Sequence, residues 1–365
     1  MADGDEVTVH THGGEFIGRG LTNSQSQLRV RLYSWDLEQP LDTGFWRSRL
    51  EDAVALRRDV LGRTDPAGAC RLVFSEADGL SGLVVDRYGD WLVMQLTSLA
   101  LAERRSLFVE QLVDLCRPRG IYLRTERGIG EAEGLRVTDG PLWGELPPDS
   151  VMIREHDLSF EVDVCSGQKT GFYLDQRENR MVVAALAKGR RVLDMFCYTG
   201  GFALAAARAG AIEVLGVDIS ESAIDLARRN ADRNQLSNVR FEVGHAFDAL
   251  EQLGNDSSWG GRCGLVILDP PKFARRSSSV VEALRGYVRL NLLATRMLER
   301  GGILATCCCS GHVTREDFAA TLGAVAERSG RQIQILAQLG QSPDHPCSAS
   351  CPESNYLKCM IARVL

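Results

Sequence analysis

Residues Val192–Ser220 read VLDMFCYTGGFALAAARAGAIEVLGVDIS, and this stretch decides the fold. An apolar, strand-like run (Val192–Met195) enters a loop carrying the glycine pair Gly200 and Gly201. A helical segment, FALAAARAG, follows, and a second apolar run ends in Asp218. Outward from there the same alternation continues. SAIDLARRNADRN is helical, VRFEVG strand-like, and GLVILDPP an apolar strand closed by an acid and two prolines. Strands alternating with helices predict βαβ units and an α/β, Rossmann-like, mostly parallel sheet, whose ligand site lies at the carboxyl ends of the strands.

The residues at those ends indicate the ligand. Glycines after the first strand let a bound molecule approach the backbone, and an acid ending the second strand can accept hydrogen bonds from ribose hydroxyls, so an adenosine cofactor is expected. A dinucleotide needs a G-x-G-x-x-G turn for its pyrophosphate, and CYTGGF lacks that spacing. S-adenosylmethionine carries a sulfonium and an ammonium and no phosphate, so acids suit it. Asp194 is expected near its aminoacyl end and Asp218 on its ribose.

LDPPKF (Leu268–Phe273) ends the fourth strand at the same sheet edge, with Asp269 toward the substrate and two prolines fixing the loop. In amino-group methyltransferases an aromatic directly follows the prolines; here Lys272 intervenes before Phe273. GGILATCCCSG (Gly301–Gly311) is the next strand, so its end should lie beside the Asp269 loop. Strand alternation puts Cys307 and Cys309 on one side and Cys308 on the other. Carbon 5 of a pyrimidine is a poor nucleophile. Methylating it needs a thiolate to add at carbon 6 first, and cysteine suits that role. Asp269 could then hydrogen-bond the pyrimidine edge.

The rest of the chain sets the context. Its 365 residues allow two or three domains at roughly 100–200 residues each. From Asp5 to about Leu32, the runs EVTVH, EFIGRG and QLRVRLY read as small β structure. A helical stretch (Phe45 to Gly62) precedes a second β-rich segment with a helix near Ala102–Cys116, and Pro147 and Pro148 mark a boundary. We therefore expect domains at 1–65, 66–150 and 151–365. No apolar stretch approaches the roughly 18 residues that span a bilayer. The polar, acidic N-terminus is unlike a secretory signal, which points to the cytoplasm without a membrane partner. Eleven cysteines, an odd number, fit reduced thiols. The net charge of −6 excludes a bulk polycation, so nucleic-acid contacts must be local. Only four of the 42 basic residues are lysines, a bias read chiefly as base composition.

The motifs FSEADGLSGLVVDRYGDW, QKTGFYLDQRENR, VLDMFCYTGGFA, VDISESAIDLARRN, LDPPKF, CCCSG and DHPCSASCPESNYLK together resemble the bacterial large-subunit (23S) ribosomal RNA cytosine-5 methyltransferase I family. In that family a PUA RNA-binding domain is fused to a class I S-adenosylmethionine-dependent methyltransferase domain. The resemblance covers nearly the whole chain. It implies that Cys309, directly before Ser-Gly, is the nucleophile and that Cys307 and Cys308 are packing residues. It implies that Phe196, Tyr198, Gly200, Gly201 and Asp269 join Asp194 and Asp218 around the cofactor. Tyr173, Gln176 and Arg177 would close over its methionine end, with Arg177 clamping the carboxylate. His245 in GHAF stands where the family has an acid contacting the adenine amino group. By the same resemblance, the chain is expected to begin inside the PUA-like module, lacking about its first half.

The expected partner is ribosomal RNA, naked or partly assembled, and a homodimer is compatible with the chain. Arg19, Arg29, Arg31, Lys272, Arg275 and Arg276 are candidate phosphate contacts. His345, Cys347, Cys351 and Cys359 invite a zinc reading, but they lack a paired C-x-x-C knuckle, and no metal is expected. Two rival functions use the same pocket: guanine-nitrogen methylation of RNA, which needs no cysteine, and a non-catalytic RNA-binding scaffold with a decayed pocket.

Overall fold

The structure, a computed structural model, describes residues 2–125, 128–274 and 277–365. The chain forms two compact units. The first comprises Met1–His156, Phe160–Asp175 and Pro343–Ser354; the second comprises Asp157–Ser159, Gln176–Ser342 and Asn355–Leu365. Among the described residues no helix is long and apolar enough to cross a membrane.

The first unit opens with three antiparallel strands, Glu6–His10, Phe16–Thr22 and Val30–Ser34. A helix, Thr43–Ala55, follows; the Asp42 carboxylate caps it by accepting from the Phe45 amide at 2.8 Å. The chain then lays down Ala69–Phe74, Leu83–Tyr88, Trp91–Leu96, Gly120–Leu123 and Gly140–Gly144, which neighbour one another in that order. Only the third and fourth of these are parallel, because the helix Arg105–Cys116 carries the chain back between them. One core serves both sheets. Leu21 and Tyr33 of the first are buried together with Trp46, Leu83 and Phe108, and the Tyr33 and Trp46 rings meet edge to face at 5.0 Å. The N-terminal strands thus bury their apolar side against the rest of the unit, which three strands alone could not achieve. Beneath the core, Asp86 is fully buried and holds Arg71 by two bonds of 2.7 and 2.8 Å.

The second unit is built on one seven-stranded sheet. Its strands are β1 (Arg191–Met195), β2 (Glu213–Asp218), β3 (Val239–Val243), β4 (Cys263–Leu268), β5 (Leu298–Cys308), β6 (Ile333–Leu339) and β7 (Lys358–Val364), in the order β3-β2-β1-β4-β5-β7-β6. The first five run parallel, and β7 enters antiparallel between β5 and β6. The helices are α1 (Arg177–Ala185), α2 (Gly201–Arg208), α3 (Glu221–Arg233), α4 (Ala246–Asn255), α5 (Val280–Met297) and α6 (Arg315–Ser329). Every residue of β4 is buried, as expected of a parallel strand covered on both faces. The chain winds outward from β1 through β2 to β3, then restarts at β4 on the other side of β1. The switch point lies between β1 and β4, and a ligand crevice belongs at their carboxyl ends.

Candidate active site

Three carboxylates converge on that switch point. Asp194 is the penultimate residue of β1, Asp218 the last of β2, and Asp269 directly follows β4. Asp194 is buried; its Oδ2 accepts from the Ala203 amide at 2.9 Å and so caps the first turn of α2. Its Oδ1 is also buried and has no hydrogen-bond partner among the described residues. Burial, then the charge of Asp269 and, more weakly, that of Asp218 lift the Asp194 carboxyl well above its usual range, while the Ala203 amide and the Arg180 guanidinium pull it down. Asp218 accepts from the Tyr198 amide through Oδ2 and from the Ser220 amide through Oδ1, each at 2.9 Å. Its remaining lone pairs are the ones a ribose would use.

The loop between β1 and α2 is bent for close approach. Phe196 (φ 63°) and Tyr198 (φ 48°) adopt the left-handed region although neither is glycine, and Gly200 (φ 87°) follows. Such strain in non-glycine residues is uncommon and concentrates at functional sites. A side chain on Gly200 would strike Phe241 at 2.9 Å, and one on Gly201 would lie 3.1 Å from Arg180. A buried, unpartnered carboxylate oxygen with two further acids nearby fits a cationic ligand and disfavours a phosphate. The donor set therefore fits S-adenosylmethionine, whose charged end Asp194 would face and whose ribose Asp218 would hold.

The second half of the crevice is the cysteine corner. Strand β5 pairs with β4 through Leu268↔Thr306, which brings the two strand ends together. Cys307 lies opposite Cys359, its partner in register on β7. The neighbouring Cys359 thiol and burial raise the Cys307 pKa well above the usual thiol value. Cys308 is fully buried in the core with Tyr287 and Phe318. Cys309 alone of the three is half-exposed, with its Sγ donating to the Pro270 carbonyl at 3.8 Å. Here the expected alternation stops short. β5 ends at Cys308, so the placement of Cys309 is set by the turn into Ser310, and its thiol acts on Tyr287 and Lys358 as that of Cys308 does.

Ser310 fixes this turn. It is fully buried; its Oγ accepts from the Ala274 amide at 3.3 Å and lies 3.4 Å from the Tyr287 hydroxyl. The Ser310 carbonyl accepts from Lys358 Nζ at 2.7 Å. The DPPKF loop and the cysteine turn are thus tied together. Arg180, acting on Asp194, and Lys358, beside the cysteine corner, are site residues that sequence reasoning missed, although both stand inside quoted motifs, QRENR and NYLK.

The other expected residues are scattered more widely. Gln176 is buried in the second unit, where its Oε1 accepts from Asn179 at 2.6 Å and its side chain also reaches Cys307. Arg177 opens α1 and is buried. Tyr173 belongs to the first unit; its hydroxyl donates to Gln168 at 2.6 Å, and Lys169 lies over its ring. His245 precedes α4 with its side chain exposed, 3.5 Å from Asp248 and stacked on Phe247. Arg19 pairs with Glu6 at 2.8 Å and Arg31 with Glu133 at 2.7 Å, so both guanidiniums hold the first unit together; Arg29 is exposed and donates to the Ser24 carbonyl. Lys272 is exposed. Arg275 and Arg276 lie outside the described residues. His345 is buried against Asp344 in the first unit, whereas Cys359 sits in β7 of the second.

Residues 141–358 match the model of the S-adenosylmethionine-dependent methyltransferase family, and residues 1–35 match a PUA-like domain. The fold is similar to a solved structure described as a SAM-dependent methyltransferase from Streptococcus mutans (TM-score 0.85, 22% identity, 100% of this chain and 92% of that one). A second solved structure, described as a methyltransferase complexed with S-adenosylhomocysteine, has a TM-score of 0.86 over the same shares at 22% identity. The chain is a class I S-adenosylmethionine-dependent methyltransferase. The Tolumonas auensis protein named ribosomal RNA large subunit methyltransferase I is 40% identical over 365 residues, covering 99% of this chain and 91% of the relative. The chain belongs to the ribosomal RNA large subunit methyltransferase I family.

Proposed function

We propose that this protein methylates carbon 5 of a cytosine in large-subunit ribosomal RNA, with Cys309 as the nucleophile. The supporting observation is that Cys309, alone in its run, is half-exposed and rests against the Pro270 carbonyl of the loop that carries Asp269. Bound S-adenosylmethionine supplies the electrophilic methyl group. The Cys309 thiolate adds to carbon 6 of the ring, and the displaced electron pair makes carbon 5 nucleophilic enough to take the methyl as its bond to the sulfonium breaks, which would leave neutral S-adenosylhomocysteine. A base then removes the carbon-5 proton, and the electron pair of that bond restores the double bond and expels the thiolate. Asp269 orients the pyrimidine by accepting from its edge, and the rigid prolines hold that carboxylate in place at little entropic cost.

The target cytosine must leave its stack to reach this corner, which favours naked or partly assembled RNA over a finished subunit. We assign RNA contacts to the exposed Arg29 and Lys272 and to Arg275 and Arg276. Arg19 and Arg31, held in ion pairs with Glu6 and Glu133, are the weaker candidates for such contacts. In the three-part division the module 1–65 brings the RNA, 66–150 supports it, and 151–365 carries the chemistry.

The test is Cys309→Ala. Loss of methylation with S-adenosylhomocysteine binding retained is expected, and unchanged turnover would remove the reading. Trapping on 5-fluorocytosine-substituted RNA supplies the second arm. The thiol route leaves a covalent adduct at Cys309, and methylation without an adduct would indicate guanine-nitrogen chemistry.

A further inference from the structure

Lys358 is the first residue of β7 and lies opposite Cys308 in the antiparallel register with β5. It is 3% exposed, an unusual place for an ammonium group. Its Nζ donates to the carbonyls of Ser310 (2.7 Å) and Tyr356 (2.9 Å), which leaves one of its three donors uncommitted. Among the described residues no carboxylate pairs with it. Among the described residues, the groups of potential negative charge that act on it are the thiols of Cys308 and Cys309, and the Arg315 guanidinium acts on it as a like charge. A buried ammonium without an anion costs stability that two neutral carbonyls offset only in part.

The two thiols are not equivalent partners. Cys308 is fully enclosed between β5 and the helices α5 and α6. Cys309 is half-exposed, and the carbonyl of the next residue, Ser310, anchors Lys358. We propose that Lys358 is a positioning residue that keeps Cys309 as a thiolate and fixes the turn from which it attacks. The proposal rests on the reading of Cys309 as nucleophile.

Charges and hydrogen bonds on both sides of the thiol decide its state. Pro270 on the β4 side accepts the thiol proton and so favours the neutral form. Tyr287 on α5 is burdened further when Cys309 ionises, because both would be anions. Asp269 acts on the neighbouring Cys307 in the same sense. Lys358 on β7 opposes all three. Burial lowers the Lys358 pKa and the thiolates raise it again, the reciprocal of its pull on them. Once the carbon–sulfur bond forms, sulfur loses its charge and this attraction ends. When the bond breaks, the ammonium again favours the departing thiolate.

The experiment measures iodoacetamide labelling of the Cys309 peptide as a function of pH in wild type, Lys358→Met and Lys358→Arg, with S-adenosylhomocysteine binding as the check on folding. The wild-type midpoint is expected below the free-thiol value of about 8.5. Lys358→Met should move it up by about one pH unit, roughly tenfold less thiolate near neutrality. Lys358→Arg should stay near wild type. Methylation by Lys358→Met should fall by about the same factor at pH 7 and recover as pH rises, which loss of structure alone would not produce. Superimposable profiles for wild type and Lys358→Met would overturn the proposal. So would a wild-type midpoint at or above the free-thiol value, a result available even if Lys358→Met fails to fold. Full methylation by Cys309→Ala would instead remove the nucleophile reading itself, whatever the labelling profile shows.

Discussion

Asp194 and Asp269 stand at the ends of adjacent parallel strands, and after burial itself the charge of Asp269 is the strongest influence raising the Asp194 carboxyl above its usual range. A carboxyl whose folded pKa exceeds its unfolded value of 3.8 contributes stability fully present below that value and lost as pH rises through the folded pKa. The ligand-free protein at neutral pH is therefore strained at this residue. Asp194→Asn removes the charge while an amide oxygen can still accept from Ala203. We expect this variant to melt higher than wild type without ligand at pH 7, by about 2–4 °C per kcal/mol relieved, and to bind S-adenosylmethionine at least about tenfold more weakly. Thermal melts and calorimetry check both; a less stable variant with intact binding would contradict them.

The same repulsion predicts a pH dependence of binding. A cationic ligand favours the ionised form of Asp194, so binding expels the proton that burial and Asp269 retain. Affinity for S-adenosylmethionine should rise with pH until the raised ligand-free pKa is passed, with protons released on binding. Titration calorimetry in buffers of different ionisation enthalpy would detect that release. A flat profile in wild type, or an unchanged slope in Asp194→Asn, would place the linked proton elsewhere.

How far the site can be read from the chain depends on distance in sequence. The β1–α2–β2 unit is local: strand, glycine turn and acid follow one another, so Asp194, Gly200 and Asp218 declare themselves by spacing. Cys309 and Asp269 require only that β4 and β5 be neighbours, which successive βα units make the default. Lys358 is different. It reaches the cysteines because β7 reverses direction and inserts between β5 and β6, and no local pattern announces an antiparallel insertion. Segments 160–175 and 343–354 likewise cluster with the first unit through contacts such as Tyr88 to Thr170 and Arg57 to the Asp344 carbonyl, between residues far apart in the chain. The end of β5 at Cys308 was hidden for another reason: Ser310 turns the chain through bonds to Ala274 and Lys358 that a single strand's alternation cannot contain.

The VVDRYGDW motif has a structural meaning. Its Asp86 is fully buried, receives Arg71 by two bonds and accepts from Thr170 at 2.5 Å. Arg71→Met leaves that carboxylate in place without its bidentate cation and should cost about 3–5 kcal/mol in urea unfolding. Replacing both residues, Arg71→Met with Asp86→Leu, should cost less than Arg71→Met alone, since no buried charge remains. A double variant as destabilised as the sum of the singles would mean the two residues act independently.

Gly216 lies opposite Asp194 on β2 because nothing larger fits there. An added Cβ would come within 2.5 Å of the Phe241 ring and 3.1 Å of Cys197 Sγ. Both neighbours are buried, so neither can swing into solvent. Gly216→Ala should destabilise the protein by about 1–3 kcal/mol, and adding Phe241→Leu should recover part of the loss. If the second change deepens the loss, the clash is being relieved by backbone movement and the packing account fails.

Ser310 Oγ accepts from Ala274 at the end of the DPPKF loop, so this hydroxyl ties the Asp269 side of the crevice to the Cys309 side. Ser310→Ala leaves the buried Ala274 amide without that acceptor, a loss of about 1–3 kcal/mol if water cannot replace it. Asp194 on β1 and Asp218 on β2 do not depend on this bond, so affinity for S-adenosylhomocysteine should stay within about twofold. Transfer to RNA and capture on 5-fluorocytosine RNA should fall together, by about 10²-fold if the thiol is displaced by an ångström. Equal losses in cofactor affinity and transfer would show general loosening of the sheet edge. A selective loss of transfer is expected if the bond from Ser310 to Ala274 sets the distance between sulfur and base.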